Sequence, residues 1–183
     1  VYEAIQSPID RVVALKVLHR DLASNPQLVA RFEREAKAAS LLKSHHTVTL
    51  YDFGQDSQGM LFLAMELLEG ESLESLIKRG GALHWRTALG LTRQVAESLT
   101  EAHDKGIVHR DLKPDNVFVT RVIGGEDNAK VLDFGIARLI QKEESAESKL
   151  TLEGAVFGTP AYMSPEQAKG ERPDHRADLY SLG

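Results

Sequence analysis

The sequence predicts an α+β protein of two lobes: a small, mostly β N-terminal lobe with one helix, and a larger, mostly helical C-terminal lobe. Two observations predict this fold class. Short runs rich in β-branched and aromatic residues dominate the first part of the chain, whereas apolar residues at helical spacing dominate from position 71 onward. The composition, 42% hydrophobic and 27% charged over 183 residues, is that of an ordinary globular protein with a buried core.

The N-terminal lobe is predicted to contain three strands and a helix. The β-branched run at 11–18 predicts the first strand, and apolar residues at helical spacing predict a helix over 28–42. Two further apolar runs, 48–54 and 61–67, flank a polar stretch, so they are predicted to pair as antiparallel strands. This lobe is therefore mostly sheet.

The C-terminal lobe is predicted to begin with helices. A short helix over 72–80 ends at a pair of glycines, and a long helix follows over 85–106. Strand-like segments at 116–120 and 129–133 come next, separated by a turn that contains two glycines. The polar, Ser-rich and Glu-rich stretch at 141–153 is predicted to be a mobile loop.

Charge and cysteine content exclude several classes of function. The formal net charge is −5 and no block of five like charges occurs, which disfavours a nucleic-acid partner or a polybasic membrane patch. There is no cysteine, so disulfides and thiolate metal sites are excluded, and a reducing, cytoplasmic location is the default expectation. The longest apolar runs are far shorter than the roughly 20 residues of a membrane helix, so no membrane segment is expected within this chain.

The stretch HRDLKPDN at 109–116 carries the chemistry, together with the acid Asp133 that lies 17 positions beyond Asn116. Asn116 and Asp133 supply the oxygen ligands that Mg²⁺ prefers, and Mg²⁺ leaves its other positions to water and phosphate. Asp111 is then available to accept a hydroxyl proton, while Lys113 can neutralise charge on a moving phosphoryl group. Any one of these acids alone would be read as a solvated loop carboxylate or a helix cap.

Four motifs in order make the sequence resemble the eukaryotic-type, or Hanks-type, Ser/Thr protein kinases of bacteria. They are VALK at 13–16, HRDLKPDN at 109–116, DFG at 133–135 and GTPAYMSPE at 158–166. The resemblance covers essentially the whole chain and implies a protein-kinase-like two-lobe fold. It also implies transfer of the γ-phosphoryl group of ATP, with Mg²⁺ or Mn²⁺, to Ser and Thr hydroxyls of protein substrates in signalling.

The resemblance also implies domain limits. Residues 1–66 would be the N-lobe, 67–70 the hinge and 71–183 a partial C-lobe. The glycine-rich loop of the family would precede Val1, and helices of the family would follow Gly183, so we expect a piece of a longer protein that is truncated at both ends of the catalytic domain. On its own the piece is expected to fold poorly and to have little activity, and the full-length protein could be membrane-anchored.

Residue roles follow from the same resemblance. Lys16 would bind the α- and β-phosphates and pair with Glu35, which is preferred over Glu33 because it adjoins the apolar row of the helix. Asp111 and Lys113 would be the catalytic residues. Asn116 and Asp133 would hold the metal ion.

The adenine of ATP would lie between the lobes. Met65 would be the gatekeeper, and the backbone groups of Glu66 and Leu68 would hydrogen-bond the base. Three apolar residues would enclose the ring and its edge: Val1, Ala14 and Phe118. The alternative is that these apolar residues are simply core.

Regulation is implied by Arg110, which in the family holds a phosphorylated activation segment through charge-assisted bonds. Thr151 is the preferred phosphorylation site, ahead of Ser145 and Ser148, and autophosphorylation could involve a dimer. Two supporting residues are also implied: Asp178 would anchor the backbone of the catalytic loop, and His109 would pack under Phe134. A pseudokinase or scaffold, an inactive kinase fragment and a small-molecule kinase are the alternatives.

Overall fold

The computed structural model describes residues 1–18, 25–121, 125, 127–134 and 160–183. The loop predicted at 141–153 and the candidate Thr151 lie outside these residues.

The N-terminal lobe is a four-stranded antiparallel sheet with one helix. Its strands lie in the order β1-β2-β4-β3, so the third and fourth strands pair as predicted. The elements are β1 (Tyr2–Gln6), β2 (Arg11–Val17), α1 (Pro26–Ala39), β3 (Leu50–Gln55) and β4 (Leu61–Glu66). The central pairing of β2 with β4 sets Ala14 opposite Met65, which places these two side chains on one face of the sheet.

Helix α1 begins at a polar cap and ends earlier than predicted. The Asn25 side chain accepts a hydrogen bond of 3.0 Å from the Gln27 backbone N–H, which caps the helix N-terminus. Phe32 and Ala36 are buried against the sheet. The helix stops at Ala39, and Leu42, which was predicted to lie in it, packs instead in the core of the C-terminal lobe.

The C-terminal lobe combines helices with a small sheet of order β5-β6-β7. Its elements are β5 (Gly70–Ser72), α2 (Leu73–Gly80), α3 (Trp85–Asp104), β6 (Val117–Arg121), β7 (Asp127–Val131), α4 (Pro165–Ala168) and α5 (Arg176–Leu182). The sequence predicted α2, α3 and the two strands β6 and β7, and it missed the three-residue strand β5 and the short helix α4.

The core of this lobe lies between α3 and the β6–β7 pair. Leu91, Val95 and Leu99 recur at intervals of four on one face of α3, and each is at most 3% exposed. They pack in one cluster with apolar residues of both strands, including Ala129 and Val131, which are fully buried. This packing fixes β7, the strand that leads to Asp133.

The segment between α1 and β3 joins the two lobes. Val131 exchanges backbone hydrogen bonds with this segment, donating to the His46 carbonyl over 2.8 Å and accepting from the Val48 N–H over 2.9 Å. The hydroxyls of Thr47 and Ser98 are buried and lie 2.6 Å apart, which ties the segment to α3 as well. The end of β7 is therefore held in place from both lobes.

Glu101 on α3 caps the turn that follows α1. Its carboxylate accepts the N–H groups of Lys43 and Ser44, over 2.9 Å and 2.7 Å, and is also bound by the Lys105 ammonium. Burial raises the pKa of Glu101, but these hydrogen bonds outweigh that effect and hold its pKa below the ordinary value.

Within the described parts of the chain, no helix combines the length and the apolar character that crossing a bilayer requires.

Candidate active site

The carboxylate of Asp111 is held by two neighbours from its own loop. Its Oδ2 accepts a hydrogen bond of 3.0 Å from the Asn116 side-chain amide and lies 3.2 Å from the Lys113 ammonium. The Asn116 amide also donates to the Asp111 backbone carbonyl over 2.7 Å, which closes the loop on itself. The sequence brought these three residues together by spacing, and the structure places them in contact.

The backbone before Asp111 is anchored by Asp178 of α5, as the resemblance implied. Asp178 is 1% exposed, and its two oxygens accept the backbone N–H groups of His109 and Arg110, each over 2.8 Å. His103 of α3 lies with its Nε2 2.8 Å from the same carboxylate. A buried carboxylate that binds two backbone N–H groups of the loop and a side chain of α3 fixes the course of the loop.

His109 is a buried support of the catalytic loop and not an acid or base of the reaction. It is 1% exposed, and its ring centroid lies 4.9 Å from that of Phe134, which confirms the predicted packing. Its Nε2 lies 2.8 Å from the Leu132 carbonyl, which can only accept, and its Nδ1 lies 3.3 Å from the Asp111 N–H, which can only donate. The ring is therefore a neutral imidazole with its proton on Nε2.

Asn116 and Asp133 are the residues that could hold a divalent cation. The Leu132 N–H donates to the Asn116 carbonyl over 2.9 Å, so the residue before Asp133 is bonded to the catalytic loop. Because the Asn116 amide nitrogen is engaged with Asp111, its side-chain oxygen is the end that a cation can use. Across the described ranges no group of three or more His, Cys, Asp or Glu side chains is arranged to hold a metal. A two-ligand site suits Mg²⁺, whose remaining positions are filled by phosphate and water.

Lys16 on β2 is bound to Asp133 and not to Glu35. Its ammonium lies 2.6 Å from Asp133 Oδ2, and each of the two side chains is about one fifth exposed. The ion pair predicted between Lys16 and Glu35 is not formed in this structure, because Lys16 binds Asp133 and Glu35 binds Arg31. Asp133 has a φ of 57°, in the left-handed region that non-glycine residues seldom adopt, and this conformation accompanies its contact with Lys16.

Glu35 is bound within its own helix. Its Oε1 accepts a hydrogen bond of 3.0 Å from the Nε of Arg31, one turn earlier. The other oxygen, Oε2, is buried and has no hydrogen-bond partner among the residues that the structure describes. The helix directs Glu35 toward the interior, as the apolar row predicted, but the Lys16 ammonium is bound to Asp133.

A basic cavity of about 500 Å³ lies beside Glu35. Its lining includes Glu35, Phe134 and basic residues from α1, the end of α3, the catalytic loop and the segment between α4 and α5. The basic residues are Arg31, Arg34, Lys105, Arg110 and Arg172. Arg110 therefore faces a strongly positive site, which is the kind of site that binds a phosphate group.

Among the residues predicted to surround adenine, Ala14 and Met65 are the ones that the structure sets side by side. Ala14 is 8% exposed and pairs across strands with the partly buried Met65. Leu68 and Phe118 are partly buried on the connection after β4 and on β6. Val1 is 79% exposed ahead of β1, so the structure does not bring it into an enclosed site.

The side chain of Glu66 has a contact that sequence reasoning missed. Its Oε1 lies 2.8 Å from the Lys130 ammonium and accepts the Thr49 N–H over 2.6 Å. Lys130 lies on β7, three positions before Asp133. The ion pair therefore connects the end of β4 to the strand that leads to the candidate metal ligand.

Gln167 of α4 was also missed, although a sequence signal for it existed. Ser164 lies three positions before Gln167, and the two residues form an S-x-x-Q capping box in which each side chain bonds the backbone of the other. The Gln167 amide also donates to the Arg110 carbonyl over 2.7 Å. The pattern in the sequence indicates a helix start, but the contact with the catalytic loop depends on the fold.

Comparison with known proteins agrees with this geometry. A family model described as "Protein kinase domain" matches residues 1–183. Among similar proteins, the serine/threonine-protein kinases pkn3 and pkn2 of Myxococcus xanthus are 45% and 47% identical over the whole of this chain. This chain spans 33% and 21% of the lengths of those two relatives.

A solved structure is similar as well. The crystal structure of the Mycobacterium tuberculosis PknI kinase domain matches with a TM-score of 0.70 and 30% sequence identity. The match covers 94% of this chain and 60% of that one.

Proposed function

We propose that this chain, which belongs to the protein kinase domain family, transfers the γ-phosphoryl group of ATP to Ser and Thr hydroxyls of proteins. The observation that carries the proposal is the catalytic loop. Asp111 is held between Lys113 and Asn116, and the loop's backbone is pinned by the buried Asp178. Rigid placement of a carboxylate beside an ammonium is what in-line phosphoryl transfer requires of a protein.

In the proposed reaction the substrate oxygen forms a bond to the γ-phosphorus as the bond between that phosphorus and the β–γ bridging oxygen breaks. ADP leaves, and Asp111 orients the hydroxyl and accepts its proton. The Lys113 ammonium, 3.2 Å from Asp111, offsets negative charge on the phosphoryl group. Asn116 and Asp133 would hold Mg²⁺, or Mn²⁺ in its place, and the charge of the ion would stabilise the phosphates.

Lys16 would bind the α- and β-phosphates once its contact with Asp133 is exchanged for the nucleotide. The adenine would lie between Ala14 and Phe118, with Met65 behind it and residues 67–70 as the hinge. The burial of Ala14 and its pairing with Met65 support this placement.

The proposed function is tested in the full-length protein with the Asp111→Asn variant. Asn keeps the size of the side chain and loses the proton acceptor, so kcat should fall by about 10²-fold or more, whereas ATP affinity should change little. Asp115→Asn is the matched control because Asp115 is an exposed acid of the same loop. A wild-type protein that binds ATP and transfers no phosphate would instead establish the pseudokinase or scaffold alternative.

Regulation would act through Arg110. The basic cavity that Arg110 lines supports its role as an anchor for a phosphate on Thr151. Mass spectrometry of active full-length protein tests this role, since full activity with unmodified Thr151 contradicts it. If two copies phosphorylate one another, the initial rate of autophosphorylation per molecule rises with protein concentration. ATP and Ser/Thr-containing substrates would meet the catalytic domain in the cytoplasm.

A further inference from the structure

We propose that Gln167 is a positioning residue for the catalytic acid, acting through the peptide group between Arg110 and Asp111. This inference rests on the proposed kinase function. It assigns a task to a side chain of the short helix α4.

The orientation of the Gln167 amide follows from the chemistry of its partners. Its Oε1 lies 3.2 Å from the Ser164 backbone N–H, which can only donate, and 3.1 Å from the Ser164 hydroxyl. Its Nε2 lies 2.7 Å from the Arg110 carbonyl, which can only accept. Exchanging the amide oxygen and nitrogen would place donor against donor and acceptor against acceptor, so only one orientation fits.

The peptide group immediately before the catalytic acid is therefore held at both ends. Gln167 binds its carbonyl oxygen, which belongs to Arg110. His109 Nδ1 accepts its N–H, which belongs to Asp111, over 3.3 Å. Asp178 separately holds the preceding N–H, that of Arg110, over 2.8 Å. With both ends held, this peptide plane cannot rotate without breaking a hydrogen bond, and its orientation sets the direction of the Asp111 side chain.

The backbone at this point requires such support. Arg110 has a φ of 67°, a left-handed conformation that a residue with a long side chain seldom adopts unless its surroundings impose it. Asp178 and Gln167 contact the two polar groups of the Arg110 backbone, one on each side of its α-carbon. The two side chains come from α5 and α4, so each element contributes one of these restraints.

The capping partner makes the contact rigid. Ser164 is 1% exposed, and its hydroxyl accepts the Gln167 N–H over 3.4 Å while its own N–H donates back to the Gln167 side chain. An amide fixed by a buried capping box loses little further freedom when it binds Arg110. The helix start and the catalytic loop are thus one hydrogen-bonded unit.

The test compares two variants in the full-length protein. Gln167→Glu keeps an oxygen for the Ser164 N–H and sets a second oxygen, with no proton to donate, against the Arg110 carbonyl. Ser164→Ala removes the capping hydroxyl and leaves the Gln167 donor in place. Hydrogen–deuterium exchange of the peptide covering residues 107–113 is measured together with kcat and the KM for ATP.

We expect Gln167→Glu to speed exchange of this peptide and to lower kcat about tenfold, with less than about a twofold change in the KM for ATP. Ser164→Ala should have a clearly smaller effect on loop exchange and on kcat, because the backbone N–H of residue 164 still orients the Gln167 amide and the Gln167 donor still reaches the Arg110 carbonyl. Unchanged exchange in Gln167→Glu would overturn the inference, and so would equal effects of the two variants, which would indicate damage to the helix cap. A wild-type protein without phosphotransfer would overturn the proposed function, whereas the exchange data would still decide the role of Gln167.

Discussion

Replacing Asp178 with Asn tests how the catalytic loop is held. The aspartate accepts three hydrogen bonds at 2.8 Å, from the backbone N–H groups of His109 and Arg110 and from His103. Asn has the same size but offers one acceptor. Its oxygen can take the place of Oδ2, which keeps two of the bonds, and its amide nitrogen then faces the Arg110 N–H, donor against donor.

The magnitude follows from the number of bonds lost. One hydrogen bond to a charged acceptor is worth about 1.5–3 kcal/mol, and the partly buried Arg110 N–H is left without a partner. Removing all three bonds with Asp178→Ala would cost about 4.5–9 kcal/mol, which rivals the roughly 5–15 kcal/mol that stabilise a whole domain. The Asn variant is therefore the informative one, because the Ala variant is expected not to fold.

Hydrogen–deuterium exchange of the full-length protein is the assay. A loss of about 1.5–3 kcal/mol should speed exchange in the peptide covering residues 107–112 by about 10- to 100-fold, with a fall in kcat. Asp174→Asn is the control, because Asp174 lies four residues earlier with a side chain 48% exposed and bound to Arg176 at the surface. Unchanged loop exchange and unchanged kcat in Asp178→Asn would refute the anchoring argument.

Three further outcomes are expected. Folding lowers the pKa of Glu101 from its ordinary value of 4.5, so the carboxylate stabilises the folded protein fully above pH 4.5 and loses this effect as the pH falls through its folded pKa. Urea titrations should therefore show Glu101→Gln less stable than the wild type at pH 7 and equally stable in strong acid. Arg31→Gln removes the i,i+4 ion pair that holds Glu35, which is worth about 0.3–0.5 kcal/mol, so Glu35 becomes available to Lys16 and basal phosphotransfer should rise about twofold. Reduced phosphotransfer in this variant would contradict the reasoning. Phe32→Ala should lower the unfolding free energy by about 3–5 kcal/mol in thermal or urea unfolding, since Phe32 is 1% exposed; a loss below about 1 kcal/mol would show that Phe32 is not part of the core.

Periodicity and spacing along the chain predicted most of the fold. Helix α3 follows from apolar residues that recur every four positions, and the β3–β4 pair follows from two apolar runs that flank a polar stretch. The end of α1 was misplaced because Leu42 continues the apolar pattern of the helix, while its side chain is taken up by the core of the other lobe. Local pattern cannot distinguish between two cores that an apolar residue could join.

For the site, spacing along the chain was enough to predict the catalytic loop, because Asp111, Lys113 and Asn116 lie within six positions and contact one another through local geometry. The sequence could not determine which acid binds Lys16, because the candidate acids lie on other elements and their positions beside β2 depend on the fold. In the structure Lys16 binds Asp133, and Glu35 binds Arg31. The supports of the loop, Asp178 and Gln167, lie 68 and 57 positions from Arg110. Contacts over such separations exist only once the chain has folded, so how the catalytic acid is held depends on the packing of α4 and α5 against the catalytic loop.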